Sequence, residues 1–307
     1  MAADVARSHG LRGALPWQVC PSVARINHAG ILKPRFSARK RLSIVNIPRA
    51  FFPQAVQDVL VNLGESSPGL SAGLLVNSTV FLVGIQVLLR GLTPGGVVHS
   101  WALGTAVYSA FGAGGYVLVC LYFILGSAVT KVKLAQKQKE GIAEARSGRR
   151  KPGSVWGSGF AGTLCAVAAL ATGRLQPWQI GFVASFVSKL SDTVSSEIGK
   201  AYGQTTYLIT TMQRVPRGTE GAVSAEGTAA GAAAAVLFAG MAVLVGQVAW
   251  KEALIVAAAA TAANLFESYL GALVQGRVEW LTNDVVNMIQ ISIAATIAIA
   301  AQLVLLK

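Results

Sequence analysis

The sequence has few of the residue types from which soluble enzymes assemble their catalytic sites. Only 13% of its 307 residues are charged, and it contains three histidines and three cysteines: His9, His28, His99, Cys20, Cys120 and Cys165. The histidines lack partner spacing for a metal site or a catalytic triad, and the scattered cysteines form neither a disulfide framework nor a metal-binding pattern. The phosphate-binding pattern G-x-x-x-x-G-K-[ST] does not occur either. Hydrolase chemistry and P-loop nucleotide binding therefore have little support.

Acidic residues are also scarce, with 13 Asp and Glu against 26 Lys and Arg. The basic excess is concentrated in two places. Residues 1–57 hold nine basic residues and one acid, and the loop 131–151 holds eight basic residues and two acids. Membrane proteins carry such clusters in loops that flank their spans and in targeting segments. The excess therefore indicates topology and targeting, and we expect no nucleic-acid partner.

The first 55 residues are rich in arginine, almost free of acids and interrupted by prolines. They lack the compact apolar core and the small-residue cleavage site of a secretory signal. This composition predicts an organelle transit peptide over residues 1–55. The alternative is a disordered basic tail on the mature protein.

Long apolar runs dominate the rest of the chain, which is 53% hydrophobic with a mean hydropathy of +0.55. Several runs approach the ~20 residues that cross a bilayer as a helix, and none shows the alternation of a membrane β-strand. The sequence therefore predicts an all-α, polytopic helical membrane protein with about seven or eight transmembrane helices in a domain of residues 70–307. The basic loop 131–153 is expected to be a partly helical surface segment. The predicted spans are about 70–89, 96–111, 114–129, 154–172, 179–201, 227–250, 254–273 and 285–306.

One predicted span carries a stretch of polar residues, 191–199, that lipid cannot satisfy. The side chains at three- and four-residue spacing, which share a helix face, are Lys189, Asp192, Ser196 and Lys200. Glu197 lies about 140° round the helix axis from Asp192. Polar groups therefore cover more than half of the helix circumference. Ionisable groups at membrane depth are costly and indicate function, here a wet cavity. Internal pairing of these lysines and acids, which would only join helices, is the alternative.

A second stretch, residues 214–228, has the features of a phosphate-binding loop. Arg214 and Arg217 flank a proline, and the glycines that follow permit turns that expose backbone N–H groups. The stretch then enters a helix at about residues 226–228, and the start of a helix favours an anion. Carboxylates beside bound phosphates make most sense as Mg²⁺ ligands. An ordinary glycine-rich loop with two arginines on the insertion side is the alternative.

Two smaller polar sets lie near the ends of apolar spans. Glu267 shares a helix face with Asn264 and Ser268, and Asn283 shares one with Asn287, beside Asp284. Each set alone is more typical of helix–helix contacts. Their common position near span ends is compatible with one interfacial site.

The two stretches resemble the hallmark of one integral-membrane family. The matching motifs are SDTxxSExG at 191–199, RVPxGTEGAVSxxGT at 214–228, GIAE at 141–144, GRR at 148–150, ESxxGA at 267–272 and NDxxN at 283–287. This family contains the plant and cyanobacterial phytyl-phosphate kinase and the animal transmembrane protein 19. The resemblance covers residues 70 to the C-terminus. The basic leader fits the plastid member better than the animal one.

The resemblance implies a kinase that converts phytyl monophosphate to phytyl diphosphate with a nucleoside triphosphate, CTP being the expected donor. The product would support tocopherol (vitamin E) and phylloquinone synthesis from chlorophyll-derived phytol in a chloroplast membrane, with the envelope expected. The implied partners are prenyl phosphate, nucleotide and membrane lipid. The implied Mg²⁺ ligands are Asp192, Glu197, Glu220 and Asp284. The implied catalytic residues are Asp192, Glu197, Arg214 and Arg217. The implied substrate-binding residues are Lys189, Ser196, Gly218, Thr219, Gly221, Ser224, Gly227, Thr228, Glu267, Asn283 and Asn287.

Two other functions are compatible with these residues. Intramembrane carboxylates and glycine-interrupted helices also occur in transporters, which move a substrate without consuming a nucleotide. A different lipid-phosphate transferase would use the same Mg²⁺ and carboxylates. A nucleotidyl transferase releases pyrophosphate, whereas a kinase moves the γ-phosphate.

Overall fold

The computed structural model of the protein describes residues 65–274 and 278–306. The predicted transit peptide, residues 1–55, lies outside the described residues. The described chain is predominantly helical, which confirms the predicted all-α class. The long helices are α1 (Leu70–Gly91), α2 (Pro94–Thr130), α4 (Pro152–Thr172), α5 (Trp178–Tyr202), α6 (Ala225–Leu244), α7 (Trp250–Val274) and α8 (Asn283–Leu305). The short elements are α3 (Leu134–Lys139), a 3₁₀ turn (Ala145–Gly148) and the antiparallel strands β1 (Thr206–Leu208) and β2 (Ala222–Ser224).

Helix α2 is a hairpin of two helical arms, residues 94–111 and 113–130. The backbone leaves helical geometry at Gly112, where φ is 61° and ψ is −160°. Asn77 of α1 contacts both arms, because its Nδ2 donates to the carbonyl of Trp101 at 2.8 Å and its Oδ1 accepts from the Tyr116 hydroxyl at 2.7 Å. The two arms correspond to the predicted spans 96–111 and 114–129. With both arms and α5, the described part of the chain contains eight long helical segments.

Helix α5 lies at the centre of the bundle. Every residue from Ile180 to Asp192 is buried, and the helix contacts α2, α4, α6, α7 and α8. Phe182 and Phe186 extend the aromatic core, with Phe182 stacked on Phe111 at 4.6 Å between ring centroids. Six described helices are long and apolar enough to cross a membrane. Helix α5 is not one of the six, because its second half is polar; surrounding helices enclose it instead.

The turn between α6 and α7 differs from the sequence-based prediction, which extended the first of these spans to residue 250 and started the next at 254. The helix ends at Leu244, and Gly246 follows with a φ of 74°. Helix α7 begins at Trp250 because the Glu252 carboxylate accepts a hydrogen bond from the Ala249 N–H at 2.7 Å. Such a carboxylate satisfies a backbone donor that a helix start leaves unpaired.

Candidate active site

A polar cavity of about 410 Å³ lies at the end of the bundle where α2 ends and α4 begins. Its wall combines the basic loop, the second half of α5, the β1–β2 hairpin and the neighbouring ends of α7 and α8. Both motif stretches therefore line the same space. Six carboxylates line the cavity: Glu144, Asp192, Glu197, Glu220, Glu267 and Asp284. Five cationic side chains also line it: Arg146, Arg149, Arg150, Lys189 and Lys200.

The polar half of α5 supplies the innermost ion pair of the cavity. Lys189 Nζ lies 2.5 Å from Asp192 Oδ2 and 2.9 Å from Asn287 Oδ1 of α8. All three residues are buried. Three predicted site residues, two from α5 and one from α8, therefore form one hydrogen-bonded group, in which the lysine compensates the buried charge of the carboxylate.

Glu197 pairs with a lysine that the sequence did not single out. Lys137, on the short helix α3 of the basic loop, donates to Glu197 Oε2 and, at 2.9 Å, to the backbone carbonyl of Thr130. Lys137 is completely buried. In the sequence it is one of eight basic residues in the loop, and no local signal separates it from the others. The loop was predicted to be a surface segment, but this side chain anchors it to α5.

The second motif stretch, residues 214–228, forms most of the loop between β1 and β2, strand β2 itself and the start of α6. Gly218 and Gly221 have φ values of 84° and 72°. A Cβ on Gly218 would lie 2.6 Å from Ile142 of the basic loop, and one on Gly221 would lie 2.4 Å from the Cβ of Ala272 on α7. Positive φ and close approach both require glycine. The two glycines therefore allow this loop to close the cavity between the basic loop and α7, with Glu220 between them.

Glu220 contributes a carboxylate that forms no hydrogen bond or ion pair with any described residue. It is exposed on its loop and lines the cavity. The pKa of Glu220 is raised above its usual value, first because the cavity wall partly desolvates the carboxyl group, although Lys200 opposes the shift. The carboxylates of Glu144 and Asp192 raise it further. A site with surplus negative charge of this kind favours a bound cation.

The start of α6 packs against α5 and contributes less to the cavity than predicted. The Ser224 hydroxyl, at the cavity wall, accepts a hydrogen bond from the Gly227 N–H at 3.1 Å and caps the helix. A Cβ on Gly227 would lie 2.6 Å from the Ser195 carbonyl oxygen, so this glycine lets α5 and α6 approach closely. Thr228 is exposed. Gly227 and Thr228 lie outside the cavity lining.

The two arginines of the second stretch also lie outside the cavity lining. Nη2 of Arg217 donates to both carboxylate oxygens of Glu140, at 2.8 and 2.9 Å, and Nη1 donates to the Lys200 carbonyl at 3.3 Å. Arg214 is exposed and joins Tyr207 in an isolated β-bridge. Arginine is present in the cavity, but it comes from the basic loop. The cavity arginines are Arg146, Arg149 and Arg150.

The smaller motifs of α7 and α8 complete the wall, together with Ser196, Thr219 and Asn283. Asn264 Nδ2 donates to the Ser191 hydroxyl at 3.3 Å, which joins α7 to α5. Asp284 Oδ2 lies 3.2 Å from Lys151 Nζ at the start of α4. Glu267 lines the cavity without a hydrogen bond or ion pair to any described residue.

Whether the cavity carboxylates can bind Mg²⁺ depends on how close together they lie and on which of them are already paired. Within residues 65–274 and 278–306, no group of three His, Cys, Asp or Glu side chains is close enough to hold a metal unaided. Mg²⁺ in nucleotide enzymes needs only one or two protein carboxylates, because phosphate oxygens and water complete its shell. Glu220 and Glu267 have uncommitted carboxylates, whereas Glu197 is paired with Lys137. The donor set therefore fits a metal that arrives with a phosphate ligand.

Comparison with known proteins places this chain among membrane proteins. The family described as "Integral membrane protein DUF92" matches residues 77–295. Protein VTE6, chloroplastic, from Arabidopsis thaliana is 45% identical over 249 residues, which cover 79% of this chain and 75% of the relative. The uncharacterized membrane protein sll0875 of Synechocystis sp. is 47% identical over 239 residues, covering 76% and 92%. No solved structure matches.

A more distant relative comes from an archaeon. The uncharacterized membrane protein MJ0933 of Methanocaldococcus jannaschii is 32% identical over 214 residues, which cover 68% of this chain and 85% of the relative. The matched residues 77–295 contain every motif on which the sequence-based resemblance depends. The resemblance is thereby confirmed, and the chain belongs to the DUF92 family of integral membrane proteins.

Proposed function

We propose that the protein is a prenyl-phosphate kinase that transfers the γ-phosphoryl group of a nucleoside triphosphate, with CTP as the expected donor, to phytyl monophosphate. The observation that carries this proposal is the shared cavity. Both motif stretches, the basic loop and the ends of α7 and α8 contribute to it, and together they bring six carboxylates and five cations to one space.

This mixture of charges suits phosphoryl transfer. The reaction breaks the bond between the β–γ bridging oxygen and the γ-phosphorus, and forms a bond from that phosphorus to a phosphate oxygen of the acceptor. CDP and phytyl diphosphate are the products. The attacking oxygen is already ionised, so the enzyme needs no strong general base. Catalysis then depends on positioning and on neutralising charge.

Some cationic side chains of the cavity are already paired with other groups of the protein, and others are not. Lys189 is held by Asp192 and Asn287, and it fixes the floor of the cavity. Lys200 and Arg150 form no hydrogen bond or ion pair through their side chains within the described chain, so their donors are available for phosphate oxygens. Arginine and lysine are the usual phosphate ligands of proteins. We propose that Lys200 and Arg150 neutralise the substrate phosphates, the role that the sequence suggested for Arg214 and Arg217.

Mg²⁺ would be held by one or two of the carboxylates of Glu220, Glu267 and Asp192, together with the phosphates of the nucleotide and water. The metal would neutralise phosphate charge, as in other phosphoryl-transfer enzymes. The side chains of the protein keep the two anionic substrates together and orient them for in-line attack.

The cellular role follows from the same proposal. The Arabidopsis relative is named chloroplastic, and the basic, acid-poor leader fits import into a plastid. We place the protein in a chloroplast membrane, with the envelope expected. There it would supply phytyl diphosphate for tocopherol and phylloquinone synthesis.

The test is a product assay with purified protein in detergent, phytyl monophosphate, Mg²⁺ and CTP. Phytyl diphosphate and CDP should appear in equal amounts by mass spectrometry. Asp192→Asn should reduce the rate by at least about a hundredfold, because it removes charge where phosphate and metal meet. The matched control is Glu65→Gln, which neutralises an exposed carboxylate outside the cavity lining. Equal rates for the two variants, or no product from folded wild-type protein, would refute the proposal.

A further inference from the structure

A second cavity lies beside the polar one and is almost entirely apolar. It has a volume of about 370 Å³ and lies between α1, both arms of α2 and the start of α4. Its wall includes Val80, Phe81, Val87, Leu103 and Val119. Along α1 the lining extends from Val80 to Leu88, eight steps or about 12 Å of helix at 1.5 Å per residue, and it continues to Leu92 just after the helix ends. The cavity is therefore elongated along the helices.

Three residues line both cavities: Tyr122, Arg150 and Ser158. The Tyr122 hydroxyl donates to the Ser158 hydroxyl at 2.9 Å and so links α2 to α4 at the boundary. The Arg150 guanidinium lies over the Tyr122 ring, 4.7 Å from its centroid, and 5.4 Å from that of Phe123. The polar and apolar cavities thus share one wall, with a cation in it.

The Arg150 guanidinium contacts aromatic rings but donates no hydrogen bond to any described residue. A guanidinium carries five N–H donors, so this group can bind a further anion. Its position depends on Gly126, because a Cβ there would lie 2.7 Å from Nη2 of Arg150. The backbone of Arg150 is fixed separately, since its N–H donates to the Gly91 carbonyl at 2.9 Å. The guanidinium is therefore placed by the fold and has unused donors.

We propose that the apolar cavity holds the hydrocarbon chain of the prenyl monophosphate, while Arg150 binds its phosphate at the boundary. This inference rests on the proposed function and adds the location of the acceptor. The volume falls within the ~300–1,000 Å³ of pockets that bury a small molecule. The occupant must be apolar along its length and anionic at one end, because the cavity is lined by aliphatic and aromatic groups and ends at a guanidinium.

Two glycines provide a matched pair of variants. Gly84 of α1 lines the apolar cavity, and a Cβ there would have no atom within 4 Å, so the side chain of Gly84→Phe would enter open space. Gly240 of α6 likewise has open space around an added Cβ, but it lines neither cavity. Gly240→Phe therefore makes the same substitution in a helix without occupying the proposed site.

The first experiment needs no catalysis. Protein without nucleotide is photolysed with phytyl monophosphate that carries a diazirine on its chain. Labelled peptides should map to α1 and the second arm of α2, and excess phytyl monophosphate should compete. Labelling should fall about tenfold in Gly84→Phe, the loss expected when roughly two methylenes no longer fit. Labelling in Gly240→Phe should equal that of the wild type.

The role of Arg150 is tested by comparing phytyl monophosphate with phytol, the alcohol that lacks the phosphate, as competitors of the labelling. Phytyl monophosphate should compete better than phytol for the wild-type protein, and the two should compete equally for Arg150→Met. Equal labelling of the two glycine variants, or competition by a phospholipid as effective as that by phytyl monophosphate, would overturn the proposal. Specific labelling without phosphoryl transfer would instead refute the kinase and leave this site standing.

Discussion

The buried pair between Lys137 and Glu197 gives the sharpest test of how the basic loop is attached. The two side chains are 1% and 4% exposed. Lys137→Met keeps much of the side-chain volume and removes the cation, which leaves the Glu197 carboxylate buried without its partner. Removing one member of a buried pair costs about 3–5 kcal/mol. This is a large part of a total folding free energy of about 5–15 kcal/mol.

The double variant Lys137→Met/Glu197→Leu separates structure from catalysis. Replacing both members of a buried pair by apolar groups is often neutral, so the double variant should regain most of the lost stability. Thermal unfolding in detergent, followed by intrinsic fluorescence, measures this. A shift of roughly 10 °C is expected for Lys137→Met. An unchanged midpoint for that variant, or a double variant less stable than both singles, would refute the account.

The same variants show whether Glu197 has a catalytic role. If the carboxylate only holds the loop, the double variant should regain phosphoryl transfer together with stability. If Glu197 binds metal, as the family resemblance implies, stability should return without activity.

Three further predictions follow from the loop residues. Arg217→Ala should lower stability by less than about 1 kcal/mol, because its pair with Glu140 is about one-third exposed, and thermal unfolding checks this. Gly221→Ala should cost about 1–2 kcal/mol or more by the same assay, because φ is positive and Ala272 would have to move. Glu220→Gln should remove a pH dependence of Mg²⁺·CTP binding. The raised pKa means that Glu220 protonates, and affinity falls, at a higher pH than for an ordinary glutamate. Partial desolvation by the cavity wall disfavours the ionised form in the folded state, so Glu220→Gln should lose no stability at neutral pH. Binding isotherms for Mg²⁺·CTP at several pH values test the pH dependence.

Much of the fold could be predicted because lipid imposes strong constraints on sequence. Long apolar runs located the helices, and the break between residues 111 and 114 was visible as a gap between two runs. The reversal of the chain at Gly112 was not predictable, because glycine also occurs throughout the helices. The early end of α6 was missed for a similar reason: the sequence there remains apolar although the helix stops.

Residues that line the cavity could be recognised in the sequence where polar side chains interrupt apolar helices. Asp192, Glu267 and Asn287 were found in this way, and they lie in one cavity. The basic loop was harder to interpret. In the sequence, Lys137, which neutralises the buried carboxylate of Glu197, cannot be distinguished from a lysine that faces water. Arg217 illustrates the opposite case. As an arginine beside glycines it was expected to bind phosphate, but its guanidinium pairs with Glu140 of the basic loop.

The most direct test of the central claim is the position of the label that reaches the product. The protein is incubated with phytyl monophosphate and Mg²⁺, with γ-labelled CTP in one reaction and α-labelled CTP in the other. The account predicts label in phytyl diphosphate from γ-labelled CTP only, with CDP as the second product. Lipid product labelled from α-labelled CTP, with release of pyrophosphate, would contradict the kinase and indicate a nucleotidyl transferase.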